Sequence, residues 1–175
     1  MTEFGAEKIA ENIYRIPFER KPISCDVIFI KGHDSTWIFD VGLNKKSADA
    51  INSIQGKKNI VLSHFHPDHI FNMTRIKYDK KVDNLYVSAN TKRYAFGGKV
   101  VNRDGLYFPE DNIKIFYLPS SHAKGCLCLQ YGDYAFMADG TYCKEKMGKH
   151  LYDANLLKQE IEVLEKIDCK YFCLD

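Results

Sequence analysis

The chain has 175 residues and a mass of 20.2 kDa, which is enough for one domain, residues 1–175, with a sizeable core. Hydrophobic residues make up 45% and charged residues 27% of the sequence, a balance that excludes a disordered chain. The formal net charge of +2 argues against a nucleic-acid-binding protein, which needs clustered Lys and Arg to contact phosphates.

The hydropathy pattern argues against a membrane protein and a secreted one. No stretch reaches the eighteen or so apolar residues of a membrane span, and residues 1–10 lack the apolar centre of a signal peptide. We therefore expect a cytoplasmic protein that does not contact membranes. Its six cysteines are expected to be reduced and mostly buried, because free Cys is among the most buried residue types. Cys143 is the cysteine most relevant to function, since it lies just beyond Asp139, near the site predicted below.

The first half of the chain is predicted to contain four strands, a helix, and a second helical stretch in which Ile70, Met73 and Ile76 recur at three-residue spacing. Ala48, Ile51 and Ile54 recur at three-residue spacing, which predicts an amphipathic helix over residues 45–54. His33 lies in a predicted turn, so we expect an exposed residue rather than a ligand. The strands are predicted at residues 9–18, 26–30, 36–39 and 60–62.

The second half is predicted to contain five strands and a long helix. Asp153 is a candidate N-cap before a helical face that extends to Ile167. Residues 94–109 are glycine-punctuated and rich in aromatic residues. Two interpretations of this segment stay open, a loop that contacts substrate and a loop whose aromatic rings pack on the core. The strands are predicted at residues 85–88, 113–118, 126–131, 134–137 and 171–174.

Three histidines and an aspartate follow the strand at residues 60–62 within six positions. His64 and His66 are two residues apart, which places both rings on one side of an extended backbone. The intervening proline ends the strand, so Asp68 and His69 are expected on a turn that opens a helix. Imidazole and carboxylate are the ligands that zinc prefers. The sequence therefore predicts that residues 64–69 form a metal-binding loop and not a histidine-rich surface loop.

This His-x-His-x-Asp-His pattern resembles the signature of the metallo-β-lactamase fold superfamily. The segment Pro119-Ser-Ser-His-Ala-Lys-Gly-Cys, with His122, looks like that family's third metal motif. Phe136-Met-Ala-Asp-Gly-Thr, with Asp139, looks like the fourth, and Asp40 stands where the family buttresses its metal loop. The resemblance implies an α/β (α+β) fold, a four-layer αββα sandwich of two mixed sheets with helices on the outer faces. The two groups of predicted strands, each followed by a helix, favour the same architecture.

The resemblance also implies a set of ligands for two metal ions. His64, His66 and His122 would hold one ion, Asp68 and His69 the second, and Asp139 would bridge them. The implied cofactor is zinc, with two ions, and iron or manganese are alternatives. Asp68 would in addition be catalytic, passing a proton to the leaving group.

The implied activity is metal-dependent hydrolysis of a small-molecule thioester, lactone or other ester by a metal-bound hydroxide. Asp139 stands where the best-known secreted β-lactamases of this fold carry a cysteine, so antibiotic hydrolysis is not favoured. Two alternatives remain open: a degenerate or mononuclear metal-binding module, and a single-iron oxidoreductase on the same fold.

One feature of the family pattern is missing. The family supplies a last histidine to the second ion just after the final strand, where this sequence reaches Asp175. A longer natural chain, an open ligand position, and substitution by the Asp175 carboxylate are the three explanations. His150 does not match the motif, and we expect it to be an exposed loop residue.

Overall fold

The structure is a computed structural model that describes residues 4–95 and 97–175. Its strands are, in chain order, β1 (Glu7–Ala10), β2 (Ile13–Ile16), β3 (Glu19–Arg20), β4 (Ile23–Ser24), β5 (Val27–Lys31), β6 (Ser35–Phe39), β7 (Lys57–Val61), β8 (Asn84–Val87), β9 (Lys99–Val100), β10 (Leu106–Phe108), β11 (Ile113–Leu118), β12 (Cys126–Tyr131), β13 (Tyr134–Ala138), β14 (Lys144–Lys146), β15 (Lys149–Leu151) and β16 (Tyr171–Leu174). The α-helices are α1 (Lys45–Ser53), α2 (Pro67–Ile70) and α3 (Ala154–Leu164).

Twelve of these strands form two mixed sheets. The larger sheet has seven strands in the order β1-β2-β5-β6-β7-β8-β9, antiparallel as far as β6 and parallel from β6 to β9. The smaller sheet has five strands in the order β10-β11-β12-β13-β16, and only its last pair is parallel. The remaining strands form the two short hairpins β3-β4 and β14-β15.

The core lies in three layers because successive side chains of a strand point to opposite faces of its sheet. On β5, Ile28 and Ile30 pack between the two sheets, whereas Val27 and Phe29 face the layer that contains α1. The third layer packs the second sheet against the last turns of α3 and the segment after it. The order of layers is therefore helix, sheet, sheet, helix, and the predicted αββα sandwich is confirmed.

Side-chain caps explain where the longer helices begin. The Asn44 side chain accepts a hydrogen bond from the backbone N–H of Ser47, at the start of α1. Asp153 does the same for the N–H groups of Asn155 and Leu156, as predicted for α3. Each cap satisfies N–H groups that have no partner inside the helix.

Several sequence predictions were wrong in detail. Residues 9–18 do not form one strand but the antiparallel pair β1 and β2, since Asn12 adopts a left-handed conformation (φ 64°) and turns the chain. The hairpins β3-β4 and β14-β15 were not predicted, because short charged strands carry no apolar alternation. α3 ends at Leu164, three residues before the end of the predicted helical face at Ile167. In the described part of the chain, no helix is long and apolar enough to cross a membrane.

The topology brings several loops to one edge of the sandwich. In the first sheet the parallel strands β6 and β7 end there, followed by Asp40 and by the metal-binding loop. In the second sheet β11, β13 and β16 run in the same direction, so the residues that follow them meet at one edge as well. These residues include His122, Asp139 and Asp175.

Candidate metal centre

Four of the predicted ligands converge in a first group, which consists of His64, His66, His122 and Asp139. His64 Nε2 and His122 Nε2 lie 2.9 and 3.0 Å from His66 Nδ1. Asp139 Oδ2 lies 3.2 Å from His122 Nε2 and 4.0 Å from His64 Nε2. The metal-binding loop and the loop after β11, which are 56 residues apart in sequence, thus contribute nitrogens to one point.

Hydrogen bonds fix which nitrogen of His64 and which nitrogen of His122 face this point. Ser63 Oγ donates to Asp40 Oδ2 at 2.6 Å, so it accepts a hydrogen bond from His64 Nδ1 at 2.9 Å. The backbone carbonyl of Cys143 accepts one from His122 Nδ1 at 3.3 Å. Because both rings carry their protons on Nδ1, they direct the Nε2 lone pairs of His64 and His122 at His66.

A second group consists of Asp68, His69 and Asp139. His69 Nε2 lies 3.4 Å from Asp139 Oδ2 and 3.6 Å from Asp68 Oδ2. Its other nitrogen, Nδ1, donates to Asp40 Oδ2 at 2.8 Å, which leaves Nε2 free to bind an ion. Asp139 belongs to both groups and lies between them, and Ala138 before it has a left-handed backbone (φ 47°).

The pKa values differ between the two groups. Burial, with help from His69, holds the pKa of His64 far below its ordinary value. Burial also lowers the pKa of His66, to which His122 contributes. Both rings are therefore neutral at pH 7, which is the state that binds metal.

The second group has the opposite electrostatic character. Burial opposes protonation of His69, but Cys25, Asp40 and Asp139 outweigh it and raise the pKa of His69 well above its ordinary value. Burial likewise opposes ionisation of Asp139, yet the adjacent rings of His122 and His69 hold its pKa well below the ordinary range. A cation is therefore electrostatically favoured at this position.

The donor set fits the metal ions that the fold implies. Nitrogen and oxygen ligands of zinc lie about 2.0–2.2 Å from the ion, so two ligands of one ion are at most about 4.4 Å apart. The ligand distances quoted above, 2.9–4.0 Å in the first group and 3.4–3.6 Å in the second, satisfy this limit. Whether each residue binds metal stays a prediction.

The remaining histidines lie outside these groups. His33 is an exposed turn residue, as predicted. His150 lies on the exposed β15, and its Nδ1 is 3.3 Å from Cys143 Sγ. All six cysteines are free, and Cys25, Cys126 and Cys128 are buried.

Two residues of the site were missed by sequence analysis. Ser63 directly precedes His64, and its position between a strand and the metal-binding loop was an available signal. Cys25 is 39 residues upstream of His64 and approaches His69 only in the folded chain, so no local pattern could have identified it.

A cavity of about 710 Å³ lies beside the first group, where His66 and His122 form part of its wall. Tyr94 is 55% exposed there and stacks on Phe65 with ring centroids 5.1 Å apart. In contrast, Phe108 packs against Trp37 in the core. Packing on the core is therefore observed for Phe108, whereas contact of this segment with substrate stays a prediction. Phe96, within this segment, lies outside the described residues.

Comparisons with known proteins agree with this architecture. No protein-family model matches the sequence, and no curated protein matches it. Many solved structures share its fold. The metallo-β-lactamase from Erythrobacter litoralis is 10% identical with a TM-score of 0.68, over 97% of this chain and 87% of that one. MIM-2 metallo-β-lactamase is 15% identical with a TM-score of 0.66, over 93% and 72%.

An archaeal metallo-β-lactamase superfamily protein from Sulfolobus tokodaii is 16% identical with a TM-score of 0.61, over 93% of this chain and 78% of that one. The chain therefore has the metallo-β-lactamase fold, and a His-rich cluster suited to metal lies at one edge of its sandwich. The predicted resemblance is confirmed at the level of the fold.

Proposed function

We propose that the protein is a dinuclear zinc hydrolase that acts on a small-molecule thioester, lactone or other ester. The observation that carries the proposal is the position of Asp139, whose Oδ2 lies 3.2 Å from His122 Nε2 and 3.4 Å from His69 Nε2. A carboxylate shared between two groups of metal ligands is suited to a pair of ions. When bound, such a pair activates water and polarises the oxygen of the scissile bond.

The residues of this chain prepare the site for that chemistry. Ser63 and the Cys143 carbonyl hold His64 and His122 in the tautomers that face the first position. Asp40 does the same for His69 at the second position. Asp68 is part of the second group and its side chain is 23% exposed, so it combines contact with the site and access to solvent. We assign to Asp68 the transfer of a proton to the leaving group.

The cavity beside His66 and His122 supports a small-molecule substrate. Its volume of about 710 Å³ lies in the usual range for ligand pockets. The wall combines the aromatic rings of Phe65 and Tyr94 with the cationic side chains of Arg93 and Lys124. Aromatic walls bind the apolar body of an ester, and cations favour one that also carries a negative charge.

The test is metal content together with hydrolytic activity. Protein purified without added metal is analysed by plasma mass spectrometry and assayed against thioesters, lactones, carboxylic esters and phosphoesters. We expect about two zinc ions per chain and turnover of at least one ester class. Asp68→Ala should reduce kcat by about 10²–10⁴-fold, whereas Asp104→Ala, an exposed carboxylate in a turn, should not.

The second group provides a specific reason to consider a mononuclear site. Only one of its members, His69, is an imidazole, whereas the first group has three. One ion per chain without hydrolysis of any ester would contradict the dinuclear proposal and favour the metal-binding module. Iron with oxygen consumption would favour the oxidoreductase.

A further inference from the structure

Cys25 and Asp175 lie beside His69, in the wall of a pocket to which the three histidines of the first group do not contribute. The thiol of Cys25, a nitrogen of His69 and a carboxylate oxygen of Asp175 all lie within 4.8 Å of one another. Asp175 Oδ2 is 3.8 Å from His69 Nε2. Cys25 is 1% exposed and the Asp175 side chain is 12% exposed. The metal mechanism described above assigns no task to either residue.

The backbone brings Asp175 to this place. β16 is parallel to β13, and Leu174 pairs with Ala138. Asp175 and Asp139 are therefore the next residues on neighbouring parallel strands, and both emerge at the same edge of the sheet. The hydroxyl of Tyr142 also donates to the backbone carbonyl of Asp175.

Cys25 is held by the metal-binding loop itself. Its backbone N–H donates to the carbonyl of Asp68 at 3.2 Å. The preceding residue, Ser24, accepts hydrogen bonds through Oγ from the backbone N–H groups of Leu43 and Asn44. The segment after β4 is therefore fixed against the loops after β6 and β7, with the thiol next to His69.

Among the residues that the structure describes, one polar atom of this arrangement has no hydrogen-bond partner. Asp175 Oδ2 is buried and makes no hydrogen bond within the described residues. A buried carboxylate oxygen without a partner costs about 1–3 kcal/mol, so it normally marks a missing ligand or water. The same oxygen is within reach of an ion bound to His69 Nε2.

We propose that Cys25 and Asp175 are ligands of the second ion, together with Asp68, His69 and Asp139. The inference rests on the metal site of the proposed function and extends its ligand set to five. Ligation replaces the thiol proton of Cys25 by the ion and releases that proton to solvent, with no change in oxidation state. Because a thiolate is a soft ligand, the second position should select zinc over magnesium and manganese.

The first test is zinc X-ray absorption on the unmodified protein loaded with two zinc ions. We expect a sulfur scatterer at about 2.3 Å, the zinc–thiolate distance, in addition to nitrogen and oxygen scatterers. This measurement does not depend on a variant that folds. Nitrogen and oxygen scatterers alone would overturn the assignment of Cys25 while leaving the dinuclear site intact.

The second test identifies the sulfur by cobalt titration. We expect a sulfur-to-cobalt charge-transfer absorption that grows with the second equivalent of Co²⁺, disappears in Cys25→Ser, and remains in Cys143→Ser and Cys173→Ser. Retention of the band in Cys25→Ser, or its loss only in Cys143→Ser, would overturn the assignment. Failure of the unmodified protein to bind Co²⁺ at all would overturn this inference and the proposed function together.

The contribution of Asp175 is measured in the same titration. We expect Asp175→Asn to weaken binding of the second equivalent at least 10-fold and to leave the first unchanged. Asp168→Asn changes an exposed carboxylate between α3 and β16. This variant should bind both equivalents as the unmodified protein does. Equal affinity of Asp175→Asn and Asp168→Asn for the second equivalent would overturn the role of Asp175.

Discussion

Asp40 accepts a hydrogen bond from Nδ1 of His69 at 2.8 Å, and both side chains are almost completely buried. Asp40 also accepts hydrogen bonds from the N–H and the hydroxyl of Ser63. Its backbone has a left-handed conformation (φ 58°), which is uncommon for a residue other than glycine. This buried carboxylate therefore orients a predicted ligand of the second position and, through Ser63, a predicted ligand of the first.

Asp40→Asn should weaken the second metal position more than the first. Asn presents one carbonyl oxygen to three donors, so one hydrogen bond of the carboxylate is lost and His69 is no longer held by a charge. We expect a 10–100-fold loss of affinity for the second ion, measured by Co²⁺ titration. Asp49→Asn, an exposed carboxylate on α1, is the control. Unchanged affinity in Asp40→Asn would mean that His69 is oriented by its packing alone.

Ser63→Ala should affect the first position. The variant removes the hydroxyl that accepts a hydrogen bond from His64 and donates one to Asp40, and it leaves the rest of the side chain unchanged. We expect about 10-fold weaker binding of the first ion and a loss of about 1–3 kcal/mol in the free energy of unfolding of the metal-free protein. Ser53→Ala, at the end of α1, should lose less than 1 kcal/mol and bind metal normally. Equal metal affinity and equal stability of the two variants would contradict the proposed role of Ser63.

His122→Ala should reduce the metal content by about one ion per chain, because it removes one of the three imidazoles of the first group. His33→Ala and His150→Ala should retain the metal content of the unmodified protein. Since an ion that binds only the folded state stabilises it, by about 2.7 kcal/mol at 100 times its dissociation constant, chelation should lower the melting temperature. A smaller effect of chelation is expected in His122→Ala. No metal in either the unmodified protein or His122→Ala would refute the site.

Much of the fold could be predicted because its signals are local. The helix α1 follows from Ala48 and Ile51 at three-residue spacing, and β11 and β16 occupy the residues predicted for them. The metal-binding loop was evident for the same reason, since four candidate ligands lie within six residues. Such local patterns predict helices and strands because the apolar positions mark the face that the element buries.

Long-range contacts could not be predicted in this way. The Trp37 indole donates to Asp111 at 2.7 Å across 74 residues, and no periodicity connects the two. Cys25 lies beside His69, held by a hydrogen bond from its backbone N–H to the carbonyl of Asp68, which is 43 residues away. The place of Asp175 in the sequence makes it a candidate substitute ligand, but its approach to His69 depends on the parallel pairing of β13 and β16.

Glu160 provides a prediction on pH and stability. It lies on α3, is 3% exposed, and its Oε2 is buried without a partner among the described residues. Burial raises the pKa of Glu160 from 4.5 to about 7. Because the folded pKa exceeds the unfolded one, the carboxyl is neutral in both states below about pH 4.5. Between about pH 4.5 and 7 the unfolded state ionises while the folded state keeps its proton, so stability falls across this range and levels off once the folded carboxyl is also ionised.

Glu160→Gln should therefore be more stable than the unmodified protein at pH 8 by about 1–2 kcal/mol, with a smaller difference at pH 5. The measurement is urea denaturation of the metal-free proteins at both pH values, which removes the contribution of metal binding. Glu162→Gln, an exposed residue two positions further along α3, is the matched control and should show no such pH-dependent gain. If the gain of Glu160→Gln were equal at pH 5 and pH 8, the charge of Glu160 would not be its cause, and the gain would have to come from the packing of the amide.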